Sequence, residues 1–241
     1  MSLLGKTILI TGAARRLGKA TAISCAEHGA DVILHYHTSQ LEVEETAQSI
    51  QALGRKSWML QADLSDANSV NDLFENATRI SAIYGLVNNA SMFKPVGFLE
   101  TSLADWESHL RINLTAPFLL TQQFARSYSL AETGRVVNLV DWRALRPGKD
   151  HFPYTISKSA LVALTKSTAM SLAPRIIVNA IALGAILPPE NEPENQEILR
   201  FVPMQRWAEL DEFLATIIFL LDGPAYITGE VIHLDGGRHL V

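Results

Sequence analysis

Tyr154 and Lys158 stand four residues apart in YTISK, within a run that reads as helix, and Asp141 precedes the tyrosine by thirteen positions. Helix positions i and i+4 are neighbours, so the Lys158 ammonium is expected beside the phenol. A free tyrosine loses its proton near pH ~10, and a neighbouring cation favours the phenolate. Tyr154 is therefore a candidate proton donor whose proton leaves more readily than usual. Asp141 adds a carboxylate, which when ionised only accepts hydrogen bonds. The plain alternatives are a Tyr–Lys pair met by chance and an Asp that merely ends a strand in a turn. What decides is the scaffold around the three groups.

That scaffold alternates. Residues 6–11, 31–37, 56–63, 83–90, 134–141, 175–183 and 229–237 read as strands. Residues 17–28, 40–53, 66–82, 102–130, 154–173 and 209–222 read as helices. Continuous apolar strands separated by helices predict a parallel sheet covered on both faces, doubly wound by the right-handed crossover rule. With no linker, repeat or low-complexity tract, the expected fold is one α/β Rossmann domain over residues 1–241. Ligands of such folds sit at the carboxyl ends of the strands. Asp141 closes the fifth strand. The stretch 185–208 is expected to form the substrate loop.

The first strand end carries TGAARRLGKA (11–20). Gly12 allows a tight turn and Gly18 a close approach of helix to sheet, with Arg15, Arg16 and Leu17 between them. The free N–H groups of that helix start suit a pyrophosphate. The second strand end reads His35-Tyr36-His37-Thr38-Ser39. It lacks the carboxylate that takes the ribose 2′-OH of NAD. Cations and hydroxyls there, with Arg15 and Arg16, suit the 2′-phosphate of NADP, so NADPH is the expected cofactor.

TGAARRLG, NNA (88–90), Asn113 in RINLTAPF, YTISK and LDGG (234–237) follow one another along nearly the whole chain. In that order they resemble the short-chain dehydrogenases/reductases. The resemblance implies a seven-stranded parallel sheet, a nicotinamide cofactor and reduction of C=O or C=N bonds. Arg16 in a TGxxxRxG loop, HYHTS, the Asp141–Tyr154 spacing, NASMF (89–93) and LDGGRHL are similar to the pteridine reductase branch. That branch reduces pterins or folates with NADPH, and it carries Asp where most relatives have a catalytic Ser.

Residue by residue, the resemblance implies that Lys158 bonds the nicotinamide ribose and that Asn113 holds a water linking Lys158 to solvent. It places Asp63 and Leu64 at the adenine, and Asn89, Ala90 and Ser91 along the cofactor. Ser91 also reaches the pterin, and Phe93 stacks on the pterin ring. Gly184 permits close approach of the nicotinamide, with Ile186 and Leu187 bonding its carboxamide. Two positions depart from the pattern. Thr38 stands where the branch often has Arg, and Leu183-Gly184 replaces Pro-Gly. The outward faces of 102–130 and 154–173 imply pairing into a homotetramer, with Arg238 reaching a neighbour.

The chemistry of Asp141 separates the substrate classes. A serine hydroxyl there would donate to a substrate carbonyl. An ionised carboxylate repels the negative charge that develops on that oxygen, but accepts from the ring N–H and amino groups of a pterin. It can also pass a proton to Tyr154 during C=N reduction. Three readings follow: an NADPH-dependent pterin reductase, a 3-oxoacyl-type carbonyl reductase that tolerates Asp141, and a non-catalytic NADP-binding protein. The intact Tyr154/Lys158 pair argues against the third. Trp142, Arg143, His151 and Trp207 are candidate pocket walls.

Composition excludes other classes. A net charge of -5 gives no sign of nucleic-acid binding. The single cysteine, Cys25, rules out a disulfide framework, and no His/Cys/carboxylate cluster has metal-ligand spacing. No apolar run reaches the ~20 residues of a membrane span. The chain enters its first strand without a signal-like segment, so a cytoplasmic location is expected. Glu190, Glu192, Glu194 and Glu197 read as a solvated loop. Facing the site, they would oppose polyanionic substrates.

Overall fold

The structure, a computed structural model, describes residues 3–187 and 196–241. Its strands are β1 (Thr7–Ile10), β2 (Asp31–Tyr36), β3 (Ser57–Gln61), β4 (Gly85–Asn88), β5 (Gly134–Asp141), β6 (Ile176–Leu183) and β7 (Val231–Leu234). Its α-helices are α1 (Arg16–Glu27), α2 (Gln40–Ala52), α3 (Ala67–Ile80), α4 (Leu103–Leu110), α5 (Ala116–Ser127), α6 (Phe152–Leu172) and α7 (Leu210–Asp222). The strands form one parallel sheet in the order β3-β2-β1-β4-β5-β6-β7. This is the expected single-domain Rossmann fold, with helices on both faces.

The apolar strands follow from that double cover. Side chains of a strand alternate between faces. Ile8 and Ile10 pack with Val32, Leu34, Phe213 and Ile217 on one face. Leu9 packs with Ile33, Phe74, Leu86 and Phe124 on the other. A strand that must be apolar on both faces loses the alternation of a half-exposed one. Each such buried side chain contributes about 1.5–3 kcal/mol relative to exposure.

The order also fixes the site. From β1 the chain moves outward through β2 to β3, then returns to place β4 on the other side of β1. The loops after β1 and β4 therefore diverge, leaving a crevice at their carboxyl ends.

The helix expected over 102–130 is divided. Between α4 and α5, residues Arg111–Thr115 make a π turn, and α5 stops at Ser127. An apolar period shows a helical face but not one inserted residue. The turn brings Asn113 fully inside the protein. The last strand is shorter than expected, because Gly236 and Gly237 take positive φ (62° and 84°) and end it.

Candidate active site

The glycine loop is held from below by polar side chains. Gly12 takes φ +64°, and a Cβ there would come within 3.1 Å of the Ala90 Cα. A Cβ on Gly18 would overlap the Gly12 carbonyl. Gly18 thus lets α1 approach the ends of β1 and β4 closely, as expected, since the same Cβ would also lie 2.7 Å from Asn89 Nδ2. Thr11 Oγ accepts from the N–H groups of Asn89 and Ala90, both at 3.0 Å. The Asn89 amide donates to the carbonyls of Thr11 and Gly12 at 2.7 and 3.0 Å. Thr11 was not singled out in the sequence, although it adjoins Gly12 and its hydroxyl is the only side-chain acceptor in TGAA. Arg16 occupies the left-handed region at φ 51°, a conformation that favours glycine. Its guanidinium donates to the Leu187 carbonyl at 3.3 Å, joining this loop to the one after β6.

Every residue from Gly12 to Ser91 assigned to the cofactor lines one cleft of about 470 Å³ at the switch in strand order. Ala14 and Ile112 line it too and were not anticipated. His37 and Thr38 are exposed at its rim with Arg15 and Arg16. Asp63 is held below the usual carboxylate range by the Ser65 N–H, which donates to it at 2.8 Å.

His35 corrects the expectation of a phosphate ligand. It is buried, its Nδ1 accepts from Gly12 N at 3.1 Å, and its Nε2 donates to the Ala62 carbonyl at 3.1 Å. Burial pushes its pKa down to about 4, so it is a neutral brace under the loop. Its native pKa lies below the ~6.5 of an unfolded chain. Between those values the unfolded state binds more protons, so stability falls as pH drops through that window, by about 3 kcal/mol at full extent. His35→Asn keeps an acceptor for Gly12 and removes the titration. Urea midpoints at near-neutral pH and near pH ~4.5 should then differ less in the variant than in the wild type. Equal losses in both would remove His35 as the cause.

The three reactive groups meet at the end of β5. The Tyr154 hydroxyl donates to Asp141 Oδ2 at 3.1 Å. Asp141 Oδ1 accepts from the Arg143 N–H at 2.8 Å, with the Arg143 guanidinium 3.8 Å away. Lys158 is buried and donates to the Leu139 carbonyl at 2.8 Å. Tyr154 is not acidified as the Tyr–Lys spacing suggested. Burial, and then the Asp141 charge, push it well above its ordinary value. The buried phenol faces a carboxylate, while the ammonium is turned to a backbone carbonyl. Burial raises Asp141 against the opposing Arg143 N–H and guanidinium. It lowers Lys158 to about 8 against the pull of Asp141.

Asn113 is a brace. Its Oδ1 accepts from Ser91 Oγ (3.2 Å) and Met92 N (2.7 Å), and its Nδ2 donates to Met92 O (2.9 Å) and Ser157 Oγ (3.0 Å). The side-chain amide is thus fully engaged, and it fixes the segment after β4 against α6. Ser91 spends its hydroxyl on Asn113. Phe93 is half-exposed beside Tyr154, edge-on with ring centroids 4.6 Å apart. Its face is not open as expected: the His151 ring stacks on it at 4.1 Å. His151 caps α6 with φ 52° and contacts Asp150 at 3.0 Å. Gly184 answers to packing against the end of β7, since a Cβ there would lie 2.6 Å from the Asp235 Cα. The Ile186 side chain is buried in the core and Leu187 packs on it. Trp207 is half-buried. In the 185–208 stretch, Glu190, Glu192 and Glu194 lie outside the described residues, and Glu197 is exposed 3.9 Å from Arg200. Among the described residues no group of His, Cys, Asp and Glu could hold a metal ion, and no helix is long and apolar enough to cross a membrane.

A glycine-loop cleft together with a Tyr–Asp–Lys cluster at the end of β5 defines a dinucleotide-dependent oxidoreductase. A family model described as Enoyl-(Acyl carrier protein) reductase matches residues 12–239. A 3-oxoacyl-[acyl-carrier-protein] reductase of Synechocystis sp. is 33% identical over 98% of each chain. The structure of FolM alternative dihydrofolate reductase 1 from Brucella canis, complexed with NADP, is 37% identical, with a TM-score of 0.93, over 100% of this chain and 96% of that one. A Serratia marcescens short-chain dehydrogenase/reductase mutant is 30% identical, with a TM-score of 0.92, over 99% of this chain and 100% of that one. The chain belongs to the short-chain dehydrogenase/reductase family.

Proposed function

We propose that the protein reduces the C=N bond of a dihydropterin. The cofactor is NADP(H), which supplies the hydride when bound in the 470 Å³ cleft. The observation that carries the reading is the Asp141 carboxylate, 3.1 Å from the Tyr154 hydroxyl. As the hydride reaches carbon, the ring nitrogen needs a proton. Tyr154 delivers it, and the ionised Asp141 then takes a proton from solvent and passes it to the phenolate through the contact they share. Ionised, Asp141 accepts from the pterin's N–H and amino donors and orients the ring. Phe93 offers the flat ring a wall, with His151 moving aside or stacking on the far face. Lys158 leaves Leu139 for the ribose. The reading includes a cytoplasmic homotetramer, formed through the faces that expose Leu103, Phe118 and Met170.

A carbonyl reductase is the second reading, and a specific observation favours it. Asp141 is raised by burial, and a protonated carboxyl donates as a serine would. The 3-oxoacyl reductase among the relatives points the same way. Loss of NADPH absorbance, followed with dihydromonapterin, dihydrobiopterin, dihydrofolate and acetoacetyl-CoA, separates the two. Turnover of a dihydropterin is expected. Turnover confined to the ketone would replace the first reading with the second.

A further inference from the structure

The cation beside Asp141 is itself held in place. Arg143 lies in the short turn after β5, with its side chain only 16% exposed. Its guanidinium sits among aromatic rings, 4.8 Å from the Trp142 centroid and 5.9 Å from that of Phe93. One arm donates to Asp150 Oδ2 at 2.9 Å, and the other stands 3.8 Å from Asp141 Oδ1. The His151 ring that stacks on Phe93 meets the same Asp150 oxygen at 3.0 Å. Against burial, the Arg143 hydrogen bond and charge, and then His151, hold Asp150 at about 2, so this anchor stays ionised near neutral pH. Arg143 Nε is buried without a hydrogen-bond partner. A merely structural arginine would avoid that unmade bond. Its place is set by rings and charge instead.

Burial works against the charge of Asp141. The Arg143 N–H and guanidinium, the Tyr154 hydroxyl and the Lys158 ammonium work for it, in that order. Arg238, 4.2 Å above the Trp142 ring, is a further cation that interacts with Asp141. Lys158 is turned to the Leu139 carbonyl. Among the described residues, Arg143 is the only cation within ion-pair distance of Asp141.

We propose that Arg143 is a positioning residue that keeps Asp141 an ionised, hydrogen-bond-accepting group. Arg143 thereby favours a substrate that offers N–H donors over one that presents a carbonyl oxygen. This choice of substrate rests on the dihydropterin reading, whereas the control of Asp141 does not.

The test is a pH titration of the NADP-loaded enzyme followed by infrared difference spectroscopy. The carboxyl band of Asp141 is assigned by its absence in Asp141→Asn. In Arg143→Gln the band should persist to higher pH, with the ratio of protonated to ionised Asp141 about tenfold larger at a given pH. Arg143→Met, which keeps the stem among the rings, should show the same change and serves if the Gln variant does not fold. Arg143→Lys returns the charge and should recover most of the difference. In turnover, the acid limb of dihydropterin kcat/KM should move to higher pH together with the band. A band that titrates as in the wild type once the charge is removed would overturn the proposal, and so would a change that Arg143→Lys does not recover. If the band moves as expected and no dihydropterin is reduced, the functional reading falls and the control of Asp141 by Arg143 stands.

Discussion

Tyr154→Phe should lower kcat on the true substrate by about 10³-fold, within the range that positioned proton transfer contributes, while NADPH still binds. The substitution removes one oxygen from a ring that is buried and edge-on to Phe93, so packing changes little. It removes the donor 3.1 Å from Asp141 Oδ2. Asp141 then keeps the Arg143 N–H at 2.8 Å on its other oxygen, and the loss of one partner costs about 1–3 kcal/mol of stability. A modest fall in Tm with near-complete loss of turnover is therefore the expected pair of results. Fluorescence titration with NADPH reads the cofactor site separately. A variant that retained more than about a tenth of the rate would exclude Tyr154 as the proton donor, since even weak general acids contribute 10²-fold. The non-catalytic reading requires that no substrate distinguish the variant from the wild type.

The basic side of the profile has its own sign. Lys158 sits at about 8 in the fold, below the ~10.4 of an unfolded chain. Between those values the unfolded state binds more protons, so Lys158 adds stability as pH rises, while it loses the charge that would bond a ribose. Tyr154 acts oppositely. Its raised pKa keeps the proton in the fold above the ordinary tyrosine range, where the unfolded chain has released it.

The parallel sheet and the cofactor cleft were legible because each depends on patterns a sequence displays. Apolar strands such as TILI and DVILHY, turn glycines and an acid-free second strand end are local signals. Roles that depend on burial were not legible. His35 looks like a surface cation beside His37, yet one strand position turns it inward under Gly12. The π turn at Arg111–Thr115, which holds Asn113, hides behind an unbroken helical period. The Tyr154–Lys158 spacing located both groups, but not the backbone carbonyl of Leu139 that draws the ammonium away.

Asp141 should give the other large effect, and its pH dependence decides between the two readings. Asp141→Ser is expected to lower kcat/KM for a dihydropterin by about 10²-fold, the loss of charge-assisted hydrogen bonds worth 1.5–3 kcal/mol. Ketone reduction should rise in the same variant, because a hydroxyl donor replaces an acceptor. In the wild type, burial raises Asp141. The protonated form therefore persists to higher pH than in an ordinary carboxylate near ~3.9. If the ionised form grips a pterin, dihydropterin kcat/KM falls as pH drops through the raised Asp141 value. If the protonated form serves a ketone, ketone kcat/KM rises over the same interval. The two substrates must show opposite slopes on the acid side, and Asp141→Asn, which cannot titrate, must flatten both. Parallel slopes that survive in Asp141→Asn would show that another group titrates. They would leave Asp141 as a strand-end turn residue bonded to the Arg143 N–H.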